Sequence, residues 1–374
     1  MNSEIELSAV ITDIAAGPFG SNLKVSCFVP VGFPIIDGAN LKGLKVTDNL
    51  TKFVTEEKAR SLSRSIARRG DIVVTISGTL GQIAYIPDDS LFEEYLCSQR
   101  QFKVTFNTSK VYVPYLVFYF HTREGQSKIL AFANQTGVPA LAQPTKNFKK
   151  IRLSLPPLEQ QRKIALIAEL LTSKIEANTK LNGYLEELVS LMFDHLIGSC
   201  TETVPFSTYA TISSGKRPPI KSPNYTDECV FPLFGATSQM GYTSEYLTDE
   251  KLLVIGRVGT HGVVQRVSGK AWPSDNTLVI RSEHYETASQ LLQRVDYSSL
   301  NRGSTQPLIT QGDLKAYEVP FINTASLERF ENKSSQLMAL YDHNSSESAK
   351  LTKLRDTLLP RLMSGEIDVS GVAF

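Results

Sequence analysis

The feature that most constrains this chain is that it is written twice. Each copy runs from a β-rich stretch into a proline and then into a long heptad-patterned helix. Residues 137–151 align without a gap to 303–317, an offset of 166, and Leu153-Ser154-Leu155-Pro156 is answered by Val319-Pro320. Upstream, Ile76-Ser77-Gly78-Thr79-Leu80-Gly81 is answered by Arg257-Val258-Gly259-Thr260-His261-Gly262 at an offset of 181. The drift between the offsets makes the first copy about fifteen residues longer, and the apolar segment 111–120 is the natural place for the excess. A repeat of this length is too long for a solenoid, so the pattern predicts a duplicated domain rather than an array.

Two heptad seams follow the prolines. After Pro156-Pro157, Ile164, Ala168, Leu171, Ile175, Asn178, Asn182, Leu185, Val189, Met192 and Leu196 alternate steps of four and three up to Gly198, a C-terminal stop. The second seam is Leu337, Leu340, Asn344, Glu347, Leu351, Leu354 and Leu358, with Pro360 expected to kink or end the helix before Ser364-Gly365. Both turn polar in the middle, as register-setting positions of coiled coils do. The helix leading out of the first copy and the one following the second can pair antiparallel, returning the C-terminus to the N-terminus.

The predicted fold is therefore α+β: two β-rich globular domains separated by two long antiparallel coiled-coil helices in a pseudo-twofold duplication. The expected boundaries are 1–154 for the first domain, 155–199 for the first helical spacer, 200–321 for the second domain and 322–374 for the second spacer. About forty helical residues at ~1.5 Å each span roughly 60 Å.

Composition removes several classes. The four cysteines are far apart with no CxxC pair, so neither a disulfide framework nor a zinc site is expected. No apolar run approaches a membrane span, and the start carries acid where a signal peptide carries base, which reads as cytoplasmic. The net charge of +1 is unevenly spread: residues 1–150 hold 17 basic against 13 acidic side chains, and 201–320 hold 11 against 12. Any affinity for nucleic acid must then come from local patches. The histidines are isolated, and no paired-acid, H-E-x-x-H or G-x-S-x-G pattern is present, so the chain reads as a binder and not as an enzyme.

The candidate DNA contacts lie in polar loops. Ser21, Asn22 and Lys24 follow Gly17-Pro18-Phe19-Gly20, and the positional counterpart in the second copy holds Lys216 and Arg217. The glycine loops offer Ser77 and Thr79 in the first copy, and Arg257, Thr260 and His261 in the second. Gln143, Thr145 and Lys146, and their counterparts Gln306, Thr310 and Gln311, offer amides suited to adenine edges and a cation suited to phosphate. The arginine run 60–69, with Arg64, Arg68 and Arg69, offers either a phosphate-contacting face or a charged helix surface, and the surface is the favoured reading. Ile164, Leu171, Ile175, Leu185, Met192, Leu337, Leu340, Leu351, Leu354 and Leu358 are the expected coil and partner positions.

Four segments carry a family resemblance: Gly17-Pro18-Phe19-Gly20-Ser21, Ser77-Gly78-Thr79-Leu80-Gly81 after Gly70-Asp71-Ile72-Val73, residues 155–164 (LPPLEQQRKI) and residues 354–367 (LRDTLLPRLMSGEI). Together they resemble the specificity subunit of type I restriction-modification systems. That resemblance implies two target recognition domains, each reading one half of a split double-stranded DNA site, with helices that set the gap and dock two methyltransferase subunits. It also implies a larger complex with restriction/translocase subunits, no cofactor on this chain, and S-adenosylmethionine, ATP and Mg used by the partners. The second copy departs from the pattern: Leu327-Glu328-Arg329-Phe330 replaces the usual Glu-Gln after the proline, and residues 201–320 carry a net charge of −1. The rival reading is a non-catalytic coiled-coil adaptor whose duplicated domains bind protein.

Overall fold

The computed structural model describes residues 4–134, 138–260, 262–300, 302 and 308–372. The chain divides into two compact units, Met1–Ala177 with Glu347–Phe374, and Asn178–Ser346. Among the described residues no helix is long and apolar enough to cross a membrane. Cys27, Cys97, Cys200 and Cys229 are all free thiols.

The first unit is built on Ile11–Ala16 (β1), Ile72–Thr75 (β2), Ile83–Tyr85 (β3) and Gln101–Phe106 (β4), an antiparallel sheet in the order β1-β4-β2-β3. The run Ile72-Val73-Val74-Thr75 is wholly buried because both faces of the sheet are covered. Ile72 and Val74 point into one core with Phe102 and Val104. Val73 points the other way, with Ile36, Tyr95 and Cys97 of a second, five-stranded sheet. Val113–His121 (α1) and Pro144–Lys149 (α2) close the first core. Ile164, Ala165 and Ala168 of Leu158–Ile197 (α3) join it, together with Leu359 and Leu362 from the chain's last helix.

Gln161 ties α3 to its domain. Its side chain is 1 % exposed, its Oε1 accepts from Tyr112 N at 2.8 Å, and its Nε2 donates to Lys110 O at 3.0 Å and Pro156 O at 2.8 Å. Gln161→Ala leaves these backbone groups unmatched in a site closed to water. The expected cost is about 3 kcal/mol, or a melting midpoint lower by roughly 9 °C for a domain of this size. A thermal melt within about 2 °C of the parent would show that the tie carries no stability. Counted from the strand before the helix, the same place in the second unit is Leu327, which is buried in apolar surroundings. The departure from the first copy's pattern thus exchanges a polar tie for an apolar one.

The second unit repeats the strand order. Thr211–Ser214 (β5), Leu252–Gly256 (β6), Gln265–Val267 (β7) and Thr277–Arg281 (β8) are arranged β5-β8-β6-β7, beside a second four-stranded sheet. Tyr285–Gln293 (α4) follows β8 as α1 follows β4, so the segment 111–120 is not the surplus of the first copy. The surplus is spread over several loops, and Arg123–Leu130 of the first unit forms a helix where the second unit has turns at 297–300. Gln311–Ala316 (α5) and Thr324–Met363 (α6) complete the unit's helices.

In this unit α4 is held at both ends by the long helices. The carboxylate of Glu331 on α6 accepts from the backbone N–H groups of Glu286 and Thr287 at 2.9 and 3.1 Å, a favourable charge for a helix N-terminus. At the other end Arg294 donates to Asp194 and Ser190 of α3 and stacks on Phe193. Glu286 itself is 2 % exposed and bonds the guanidinium of Arg266 at 2.6 and 2.8 Å.

Along α3 the packed positions follow the expected rhythm. Ile164, Leu171 and Ile175 in the first unit, and Asn178, Leu185 and Met192 in the second, are buried or half-buried. In the second unit Asn344 donates to Asn182 at 2.9 Å, and Asn182 donates to Tyr341 O at 3.2 Å and Ser345 Oγ at 3.0 Å. In the first, Lys174 pairs with Glu347 at 3.2 Å, and Lys163 donates to Ser370 O at 2.9 Å.

The seam of α6 needs a correction. Leu337, Asn344, Leu351 and Leu358 pack, but Leu340 and Leu354 are 42 % and 45 % exposed, and Tyr341 and Arg355 occupy the packed positions instead. The threes and fours alternate in the opposite order, which leaves every seventh residue unchanged and shifts the ones between by one. Ser334, Ser348 and Arg355 lie on the true seam, and their polarity makes the neighbouring leucines look like the better choice. Pro360 lies inside α6 and does not stop it. The helix ends three residues later, and Gly365 takes the left-handed C-terminal conformation at φ +78.

Candidate nucleic-acid interface

In the first unit the ends of β1 and β2 and the start of β4 meet at one edge of the sheet. Gly17 N donates to Gln101 O at 2.7 Å, and Ile76 N donates to Arg100 O at 2.6 Å. The loop before α2 is stitched to the same edge by Gly78 N to Pro139 O at 3.0 Å and Leu141 N to Ile76 O at 2.8 Å. Gly17 is the required residue at this crossing, because a Cβ there would lie 1.8 Å from Ser98 O.

The second unit makes the same edge from its own residues. Gly215 N donates to Thr277 O at 3.1 Å, Arg257 N to Asn276 O at 2.8 Å and Ile309 N to Arg257 O at 3.0 Å. A Cβ on Gly215 would lie 2.1 Å from Ser274 O. The glycine loops match in conformation: Gly78 and Gly81 are left-handed at φ +96 and +85, and Gly259 and Gly262 at +84 and +86. The loops before α2 and α5 match less simply than a gapless alignment implies. Leu141 bonds Ile76 as Ile309 bonds Arg257, an offset of 168, and the helices that follow are offset by 167.

The candidate contacts lie on these loops. Ser21, Asn22, Lys24, Thr79, Gln143 and Lys146 are exposed, and Ser77 and Thr145 are half-buried. Gln143 holds a left-handed φ of 42, rare for a residue with a Cβ and a place where strain is stored. In the second unit Lys216, Arg217 and Thr260 are exposed, and Arg257 is half-buried. Two side chains are already engaged. The Thr310 hydroxyl accepts from Asp313 N at 3.2 Å as a helix cap and donates to Asp313 Oδ2, and Gln311 donates to Ser214 Oγ at 2.8 Å. That hydroxyl, together with the nearby Arg302, holds the Asp313 carboxyl below the usual range against the effect of its burial. His261 and Gln306 lie outside the described residues.

Between the two sheets of the first unit the edge opens into a cleft of about 730 Å³. Ser77 and Thr79 line it with Lys42, Arg100 and the amides of Gln82 and Gln99. Gln101 forms part of its lining, 1 % exposed, with its side-chain Oε1 accepting from Ser98 Oγ. Asp37 at the rim is pushed up by burial but pulled further down by Lys52, 2.6 Å away, and by the Ala39 N–H. A smaller cleft of about 410 Å³ brings Asn22, Arg64 and Thr145 together. Lys42, Arg100 and Gln101 were not singled out by the sequence, and Arg64 was read with the charged surface of the arginine run. The signal for Arg100 and Gln101 is that Ser98-Gln99-Arg100-Gln101 is a polar turn between two apolar strands. Elsewhere in the arginine run, Arg60 and Arg68 are committed to Glu94 and Arg69 to Glu93. Among the described residues no group of histidine, cysteine and carboxylate side chains could hold a metal ion.

Residues 32–187 match the family model of the type I restriction modification DNA specificity domain. The matched stretch spans most of the second sheet, the glycine loop, most of the cleft lining and most of α3. Across 98 % of the chain the fold is similar to 96 % of the crystal structure of the type I restriction-modification system S subunit from M. genitalium, with a TM-score of 0.64 and 18 % identity. An HsdS subunit from Thermoanaerobacter tengcongensis aligns over 98 % of this chain and 97 % of its own at 15 % identity, with a TM-score of 0.39. Among curated proteins no sequence matches the chain.

Proposed function

We propose that the chain is the specificity subunit of a type I restriction-modification complex, in which each unit reads one half of a bipartite double-stranded DNA site. The observation that carries this reading is the repeated edge: in both units the same four loops converge at the same end of a sheet of the same strand order, and exposed cations and amides sit on them. The matched specificity domain and the S-subunit fold support it. The two recognition domains are read as residues 1–154 and 200–321, copies of one ancestral domain. The helical segments 155–199 and 322–374 are read as a long antiparallel coiled coil that sets the gap between half-sites.

The outer faces of these helices fit the docking role. Leu181, Tyr184, Leu188 and Leu191 on α3 are 40–59 % exposed at helical spacing, and Leu340 and Leu354 on α6 are exposed as well. Two methyltransferase subunits would pack their own helices there, and restriction/translocase subunits would join the assembly. Adenine methylation from S-adenosylmethionine and ATP- and Mg-dependent restriction belong in this reading to those cytoplasmic partners, and this chain is the non-catalytic address.

The test is duplex binding by the assembled methyltransferase complex as salt is raised. Neutralising Lys24, Lys146, Lys216 and Arg217 together is expected to lower the slope of log K against log salt by up to about 4, near one for each phosphate that no longer meets a cation. An unchanged slope would remove these loops from the interface. A complex that binds no duplex at low salt would leave the adaptor reading in place.

A further inference from the structure

We propose that Arg257 reads a guanine in the half-site bound by the second unit. This rests on the reading of the chain as a DNA specificity subunit and names one base contact within it. Arg257 follows the buried strand β6, and its main chain is clamped on both sides, by the bonds to Asn276 O and from Ile309 N. The residue is half-buried, and its Nε is buried with no hydrogen-bond partner among the described residues. With that nitrogen closed to solvent, contact with a base falls to the two terminal nitrogens of the fork.

The neighbouring cations behave differently. Lys216 and Arg217 are exposed and solvated, as suits phosphate, and Arg302 is committed to Asp313. At the matching place in the first unit the chain has Ile76, packed against the apolar core, so the architecture does not itself require an arginine. A guanidinium whose stem is fixed at the root of a loop presents its N–H fork in one orientation. In the major groove the planar pair of acceptors that fits the fork is O6 and N7 of guanine. The first unit has no such group at this position, which makes the two half-sites chemically different there.

The experiment introduces R257K and R257A into the gene in its native host and maps the methylated motif, with a thermal melt of each purified complex and its duplex binding measured as salt is raised. R257K keeps charge and stem and loses the fork, so it decides the question if R257A unfolds. The wild-type motif is expected to hold a guanine, on either strand, in the second unit's half. Both variants should drop the preference there from roughly 10- to 100-fold to near parity, with every other position unchanged. Loss that is uniform over all sites, with a salt slope lower by about one, would mean a phosphate contact and would overturn the assignment. So would an unchanged motif, or a second half-site without guanine. If the wild-type gene directs methylation to no bipartite motif at all, it is the specificity-subunit reading that fails.

Discussion

Lengthening both long helices by four residues, between Ala177 and Asn178 and between Ser346 and Glu347, is expected to widen the unread gap of the DNA site by about two base pairs. The insertion points fall on the boundary of the two compact units, so the contacts described within each remain intact. The Asn344–Asn182 bond stays on one side and the Lys174–Glu347 pair on the other. Four residues add ~6 Å of helix. With about 34 Å to a turn of ten base pairs, that is close to two base pairs. Four is also the stutter length that a heptad seam absorbs by local unwinding. Methylome sequencing of a host carrying the lengthened gene reads the gap directly. A motif with both half-sites intact and the parental spacing would mean that the coiled coil does not set the distance.

Much of this was legible before the structure, for identifiable reasons. Helices of forty residues with apolar positions every three or four announce themselves, and Pro157 and Gly198 mark the limits of α3. The glycine loops were legible because left-handed Gly78 and Gly259 leave the same spacing in both copies. The phase of α6 was not, because its packed positions carry Ser334, Ser348 and Arg355, whose stems fill a seam that hydropathy alone assigns to leucine. The clefts were hidden for another reason. Gln101 looks like any strand residue, and only the pairing of β4 with β1 and β2 brings it beside Ser77 and Lys42. Gln161 was visible as part of a family segment, but its task of satisfying a loop fifty residues upstream needs three dimensions. The place of the first copy's surplus was misread because α1 is conspicuously apolar, whereas its counterpart α4 mixes Glu286, Thr287 and Gln290 into a helix that is buried all the same.

The central claim is that each unit reads its own half-site, and the most direct measurement is the methylome of a host in which residues 201–320 are replaced by the matching domain of a relative. The cut points respect the fold: the pair Thr203–Pro205 with Glu318–Pro320 moves as one piece, and Phe321 N keeps its bond to the backbone at 202. Most of what joins the moved domain to the helices is generic. Glu331 on α6 caps backbone N–H groups, which any domain with a helix at this place supplies. Side-chain ties run from Arg294 to Asp194 and Ser190, from Arg266 to Asp342, from Thr287 to Glu331 and from Ile322 N to the Tyr209 hydroxyl, so the donor should carry the same residue types at these four places. The predicted result is a methylated motif with one half replaced, and with the other half and the gap between them unchanged. A motif in which both halves change, or neither, would contradict the account.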